Sequence, residues 1–469
     1  MKRYLSHTIF SLNVALFFVL SATGILTVSC DSFVETASPQ SQLPSSAVFE
    51  NYLTASAALT DIYSKIRDRG MLTGQSSGIS YLLANYADEL DFYGTPSSSA
   101  SSFYINALLP GNTNLQEYWS VAYNQIYAAN SVIERTKASL SLTDVQKKQL
   151  SGEAFFIRAL VHFYLTNLYG DVPYIVSTDY KINSMPVKVS TKEVYNLVIN
   201  DLNAAADMLG SEYIKNERTR PNRYAVLALQ ARVYLYHGKW AEAANASSAV
   251  LNASGLFALQ TDLKSVFLKE SKETIWQLQS SVSGKNTDEA ASFIFFTVPP
   301  SSAALNSAII NSFTSVDKRK ISWTGSLSSG ASTWYYSFKY KEFYNTSVSK
   351  EYPIMLRLSE QYLIRAEARA QQGDIIGSKE DLDQIRQRAG LSKTTAVTKQ
   401  EILDAILEER KLELFSEYGH RFFDLKRTGN LDQKLSGIKP GWNTADRLFP
   451  IPQNEININS NLLPQNTGY

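Results

Sequence analysis

A single cysteine, Cys30, stands in a chain of 469 residues. No intrachain disulfide and no cysteine-based metal cluster can form from it. Charge of one sign is equally scarce: 45 basic side chains face 44 acidic ones, a net of +1 at pH 7 with histidine neutral. A general nucleic-acid binder needs a basic surface to displace counterions from phosphates, so that class is excluded. A wholly disordered chain combines low hydrophobicity with high net charge, and 44% hydrophobic residues exclude it too. Histidine is rare, and His7, His162, His237 and His420 stand singly, as core or surface histidines do. The sequence holds no G-x-S-x-G, H-E-x-x-H, P-loop or G-x-G-x-x-G pattern. Nothing here demands a cofactor, and no enzyme is expected.

Long apolar runs are also missing, apart from one at the start. Lys2 and Arg3 precede a mostly apolar stretch from Ile9 to Leu26, and Val28-Ser29 lead into Cys30. The pattern predicts a signal peptide over 1–29 ending in a bacterial lipobox, with Cys30 lipidated as the new N-terminus. Thr27 stands where Leu is usual, with Leu26 one place early. An uncleaved N-terminal anchor is the alternative. Ser11, Asn13, Ser21 and Thr23 weaken a spanning helix, which prefers ~20 predominantly apolar residues. Removing 1–29 takes two of the 45 positive charges and none of the 44 negative ones, leaving 43 against 44. Residues 30–48, rich in Ser and Pro, read as an extended tether.

The remainder, 49–469, reads as one body. Helical patterning begins near Asn51, with Leu53, Ala57, Ile62 and Ile66 near one face. Further helices are expected at Leu115–Lys137, Thr143–Tyr169, Thr191–Leu209, Arg223–His237 and Trp240–Leu251. Others follow at Met355–Gln372, Ile375–Ala389 and Lys399–Tyr418. Residues 74–113 and 256–350 are loop-rich, the latter with the β-prone stretches TIWQLQ, SFIFFTV and STWYYSFKY. The tail from Leu448 looks irregular. A repeat is visible: Ala231, Tyr234, Gly238, Ala243, Ser247 and Val250 share their spacing with Ala366, Arg369, Gly373, Ser378, Leu382 and Ile385. Small residues where helices approach and Gly at the turn follow the logic of tetratricopeptide helix hairpins. The expected fold is mainly α, a tetratricopeptide-like helix-pair superhelix (about 115–255 and 355–425) with a loop-rich, partly β remainder.

What the chain has in excess is aromatics: 27 Tyr, 22 Phe and 6 Trp. Tyr and Trp join an apolar face to a polar edge, which suits cores and sugar-like ligands alike. Asp88, Glu89 and Asp91 cluster beside Tyr86, Phe92 and Tyr93. Two acids near aromatics are what a glycoside hydrolase needs, but adjacent acids more often cap a helix or bind Ca²⁺. Glu408-Glu409-Arg410-Lys411 with Glu413 reads as a solvated helix face laced by ion pairs.

Several segments, in order, resemble the SusD/RagB family of Bacteroidota outer-membrane lipoproteins. They are CDSFVETASPQSQL, AVFENYLTASAALTDIY, EAFFIRALVHFYLTNLYGDVPY and RYAVLALQARVYLYHGKWAEAANASSAVL. The second half adds LRLSEQYLIRAEARAQQGD, DLDQIRQRAGL, ILEERKLELFSEYGHRFFDLKRTG and RLFPIPQNEININSNLLPQNTGY. The resemblance runs from Cys30 to Tyr469, and FFDLKR and LFPIP are its most specific parts. It implies four tetratricopeptide-like helix pairs, no catalysis, and a lipid-anchored place on the outer face of the outer membrane. There the protein would capture a nutrient, an oligosaccharide above all, and deliver it to a SusC-like TonB-dependent transporter. Arg421 and Asp424 are then expected in structural ion pairs.

Recognition would fall to loops on this scaffold. Two segments join aromatic to small polar residues, Tyr81–Asn106 and Trp323–Tyr344. They nominate Tyr81, Tyr93, Phe103 and Tyr104 from the first, and Trp323, Trp334, Tyr335 and Tyr336 from the second. Alternation through 333–338 predicts a strand with one buried face. Trp119, Trp240 and Trp276 are expected to pack. Two other readings stay open: a peptide or protein cargo in the superhelical groove, and a glycosidase using Asp88 or Asp91.

Overall fold

Side-chain caps decide where the helices begin. Asn51, Asn112, Thr143, Ser190 and Asn222 each accept a first-turn backbone N–H of α1 (Tyr52–Asp68), α2 (Thr113–Ala138), α3 (Asp144–Tyr169), α4 (Thr191–Met208) and α5 (Arg223–Tyr236). Helix α6 (Trp240–Leu251) follows, and the C-terminal part supplies α7 (Leu358–Gln372), α8 (Ile375–Arg388), α9 (Lys399–Leu414) and α10 (His420–Arg427). Thr143 with Gln146 and Thr398 with Glu401 form capping boxes that satisfy two orphan donors each. These elements come from a computed structural model, which describes residues 47–469. The expected signal peptide, the lipidation site Cys30 and nearly all of the tether lie outside the described residues. Among those residues no helix is long and apolar enough to cross a membrane.

From α2 to α10 each helix packs on the next, including α6 on α7 across the long insertion between them. This is the tetratricopeptide-like stack of helix pairs. Its repeat register holds, because Gly238 and Gly373 both sit at turns with φ of +73° and +88°. Helix α7 is buried on two sides. Ile364 and Ala368 join Ala231, Leu235, Ala243 and Ala246 of α5 and α6. Leu363, Ala366 and Ala370 join Leu382, Ile385, Ile402 and Ile406 of α8 and α9. The small residues let the backbones close, and the Ser378 hydroxyl donates to the Ala366 carbonyl at 2.7 Å. A Cβ at Gly373 would meet nothing within 4 Å, so only its left-handed backbone resists a side chain. Gly373→Ala is expected to cost about 1–2 kcal/mol, read as a lower urea midpoint at unchanged slope.

Six short strands complete the body: β1 (Leu90–Phe92), β2 (Thr274–Gln277), β3 (Ala303–Leu305), β4 (Thr324–Ser329), β5 (Ser332–Ser337) and β6 (Ile354–Arg357). One antiparallel sheet runs β1-β3-β5-β4, and β2 pairs with β6. Several expectations need correction. Ile354–Arg357 is strand rather than the start of a helix, because its four residues are buried beside β2. Helix α9 ends at Leu414, where Ser416 and Tyr418 take positive φ. The stretch 74–113 holds helices Ile79–Tyr86 and Ser99–Tyr104, and the tail holds Gln453–Ile458. SFIFFTV forms no strand.

The acidic run on α9 is the largest departure. Glu408 is exposed and pairs with Lys411, but Glu409, Arg410 and Glu413 are buried. Glu413 accepts from Arg357, Arg388 and Arg319, and Arg410 donates to Asp424 at 2.7 Å. These charges are internal cement, not a solvated face. Asp424 also pairs with Arg427, and Arg421 with Asp88, which places both residues in structural ion pairs.

Candidate functional site

Strand β3 brings together the two aromatic segments that lie far apart in the chain. Leu305 sits opposite Leu90 of β1 on one side and Tyr335 of β5 on the other. Just past β1, the Tyr93 backbone N–H donates to the Ser302 carbonyl at 2.7 Å, which leaves its ring 44% exposed at the edge. The Trp334 side chain lies near enough to the Tyr93 phenol to favour its ionised form. Tyr104 adds a half-buried ring beside Phe92, centroids 6.1 Å apart. The Lys439 ammonium lies 3.9 Å from the Tyr104 ring centroid, a cation–π contact.

Polar groups are held among these rings. Asn306 donates to Asp91 Oδ1 at 2.7 Å. Burial, with Asp91 adding to it, raises the phenol pKa of Tyr93 and of Tyr104. Burial pushes the Lys439 ammonium down to about 7 against the pull of Asp91 and Asp88, while its Nζ donates to the Asn85 carbonyl at 2.6 Å.

Alternation along β5 sets Trp334 and Tyr336 on one face and Tyr335 on the other. Tyr336 lies across Gly325 of β4. A Cβ there would stand 2.3 Å from the ring, so only glycine admits it. Beyond Tyr336 come Phe295 and Phe338, with centroids 5.0 and 5.7 Å away. Phe296, Phe343 and Tyr344 then group together, with centroids 4.8 to 6.1 Å apart, and Phe296 and Tyr344 are exposed. The sequence reading did not nominate Phe295, Phe296, Asn306 or Lys439. The doubled Phe in SFIFFTV is the signal for the first two, but its β-prone composition points to a strand that does not form.

Three nominated residues belong to the core instead. Tyr81 is on a helix buried on every side and meets Phe293. Phe103 is wedged between Tyr86 and Phe449. Trp323 is fully buried, donates from Nε1 to the Leu263 carbonyl at 2.8 Å and packs on Phe267. Tyr93, Tyr104, Trp334, Tyr335 and Tyr336 keep partial or full exposure. Trp119 and Trp276 are buried, as expected, whereas Trp240 is half-buried.

Two members of the acidic cluster, Asp88 and Glu89, are committed elsewhere. Arg421 donates two bonds to Asp88 at 2.8 and 2.7 Å; burial opposes ionisation, but this pairing wins and lowers the carboxyl pKa. Burial and neighbouring Asp88 push Glu89 up to about 8. Among the described residues no three His, Cys, Asp or Glu side chains are grouped to hold a metal ion. His162 is wholly buried, stacked on Tyr174 at 3.8 Å, and burial pushes it down to about 3.

Comparison with known proteins follows the same division. Residues 37–235 match a family model described as starch-binding, associating with the outer membrane, and residues 318–469 match the SusD family model. SusD-like protein P2 of Formosa agariphila is 27% identical, the alignment covering 94% of this chain and 97% of the relative. A SusD superfamily protein of Bacteroides vulgatus superposes with a TM-score of 0.78 at 21% identity, covering 89% of this chain and 99% of its own. A laminarin-binding SusD-like protein gives 0.75 at 23%, with the same coverage. The two family models, matched over residues 37–235 and 318–469, and a relative aligned over 94% of the chain make this protein a member of the SusD/RagB family.

Proposed function

We propose that this protein captures a neutral or weakly charged oligosaccharide at the cell surface and passes it to a SusC-like TonB-dependent outer-membrane transporter. The observation that carries the reading is that β3 brings β1, which leads into the exposed Tyr93, beside β5, which carries Trp334, with Asp91 and Asn306 bonded at that edge. A sugar offers flat C–H faces to the rings and hydroxyls to the carboxylate and amide. Tyr336, Phe296 and Tyr344 extend the surface for a longer chain. Support for glycan as the ligand class comes from the starch-binding family description and from the laminarin-binding relative in fold. Lipid attachment at Cys30 would hold the body at the outer face of the membrane, and a near-neutral chain offers no strong field for a polyanion.

Calorimetry with neutral β- and α-glucan oligosaccharides tests the site. Trp334→Ala is expected to weaken binding about tenfold, equivalent to about 1.4 kcal/mol, with the melting temperature retained. Unchanged affinity in both Trp334→Ala and Tyr93→Ala would remove the site from this rim.

A further inference from the structure

A second concave site lies away from the sheet. A cavity of about 680 Å³ opens among the ends of α3, α4, α5 and α10 and the segment 464–467. Its wall carries Lys188, Lys426, Arg427 and Arg447, against one carboxylate, Asp171. Arg427 is already neutralised by Glu367 and Asp424, and Arg447 pairs with Asp432 outside the cavity. Asp171 is occupied by the Thr191 N–H and hydroxyl at 2.7 and 2.9 Å. The two lysines differ. Lys426 Nζ donates to the Asn167 carbonyl at 2.5 Å and Lys188 Nζ to the Pro464 carbonyl at 2.6 Å. Neither is in an ion pair among the described residues, and each ammonium retains two further donors.

Both ammoniums line a wall that carries more cations than carboxylates, with Asp171 the one acid there and drawing on Lys188. Burial, with the Arg447 charge adding to it, pushes the Lys426 ammonium down to about 7. An oxyanion would accept the free N–H donors and offset the excess of cations on the wall. The rest of the wall suits a sugar's hydroxyls: Thr444 and Thr467 line it, whereas the Tyr195 ring is stacked on His237 and the Tyr236 ring lies under Arg427. We propose that this cavity binds the carboxylate or sulfate group of an acidic saccharide unit, between Lys188 and Lys426. The site is separate from the ring cluster of the proposed function and stands or falls without it.

Calorimetry on the purified protein at low salt, with glucuronate, glucose 6-sulfate, sodium sulfate and glucose, tests it. Both acidic sugars are expected to bind saturably, sodium sulfate to compete, and glucose to give no heat. Lys188→Ala and Lys426→Met should each weaken the acidic sugars at least tenfold, and Trp334→Ala should leave them unchanged. Should Lys426→Met fail to fold, the more exposed Lys188→Ala decides. The proposal is overturned if neither acidic sugar binds, if glucose binds as tightly, or if the lysine variants keep full affinity.

Discussion

Glu413→Ala is expected to lower the unfolding free energy by about 3–5 kcal/mol, the scale for stripping a partner from buried charge. Glu413 has no exposed surface and takes Arg357 at 2.6 Å, Arg388 at 2.5 Å and Arg319 at 3.2 Å. Each arginine keeps a second acid: Glu417 for Arg357, Glu273 for Arg388, and Asp317 for Arg319. The centre therefore ties α9 to α8, to β6, to the approach of β2 and to the segment before β4. Burial alone would raise the Glu413 pKa, yet the three guanidiniums outweigh it and hold the carboxyl well below its usual range. A depressed folded pKa contributes stability above the unfolded value of 4.5, and that stability is lost as pH falls through the folded value. Urea unfolding at pH 7 should show the full deficit, and the gap between parent and variant should narrow in acid below about pH 4.5. A deficit under 1 kcal/mol at pH 7 would refute the assignment.

Trp323→Ala is expected to cost about 3–5 kcal/mol as well, by deleting a buried indole from a packed interior. The ring stands against Phe267 and under the Lys339 ammonium at 5.0 Å, so its loss also bares part of the ionic centre. Affinity for an oligosaccharide should stay within twofold of the parent. The reverse result, weaker binding with an unchanged melt, would return Trp323 to the ligand surface.

Trp323 and Trp334 together show what sequence could and could not tell. Both stand in a stretch dense in rings, and density alone does not distinguish a face turned to water from one turned inward. Alternation predicted a strand at 333–338, and β5 is there; it had nothing to say of Trp323, which sits where a short helix gives way to β4. The helical stack was legible because its punctuation is local, as with Thr143, Gly238 and Gly373. The ionic centre was not. Glu409, Arg410 and Glu413 have the spacing of solvated helix charges, and the arginines that bury them come from distant positions. The meeting of Tyr93 with Trp334 was equally hidden, since it depends on β3, three residues of Ala-Ala-Leu with no alternation to mark them.

The strand order β1-β3-β5 also governs when the molecule becomes competent. Tyr93 belongs to the first quarter of the chain, whereas Trp334 and Lys439 arrive only with the last third. No partial product of synthesis can hold Tyr93, Trp334 and Lys439 together. A fragment ending before β5 would be blind to ligand even if its helices had formed. A ligand bound at the proposed site would therefore select finished molecules, and at a concentration one hundred times its Kd would add about 2.7 kcal/mol to their resistance to unfolding.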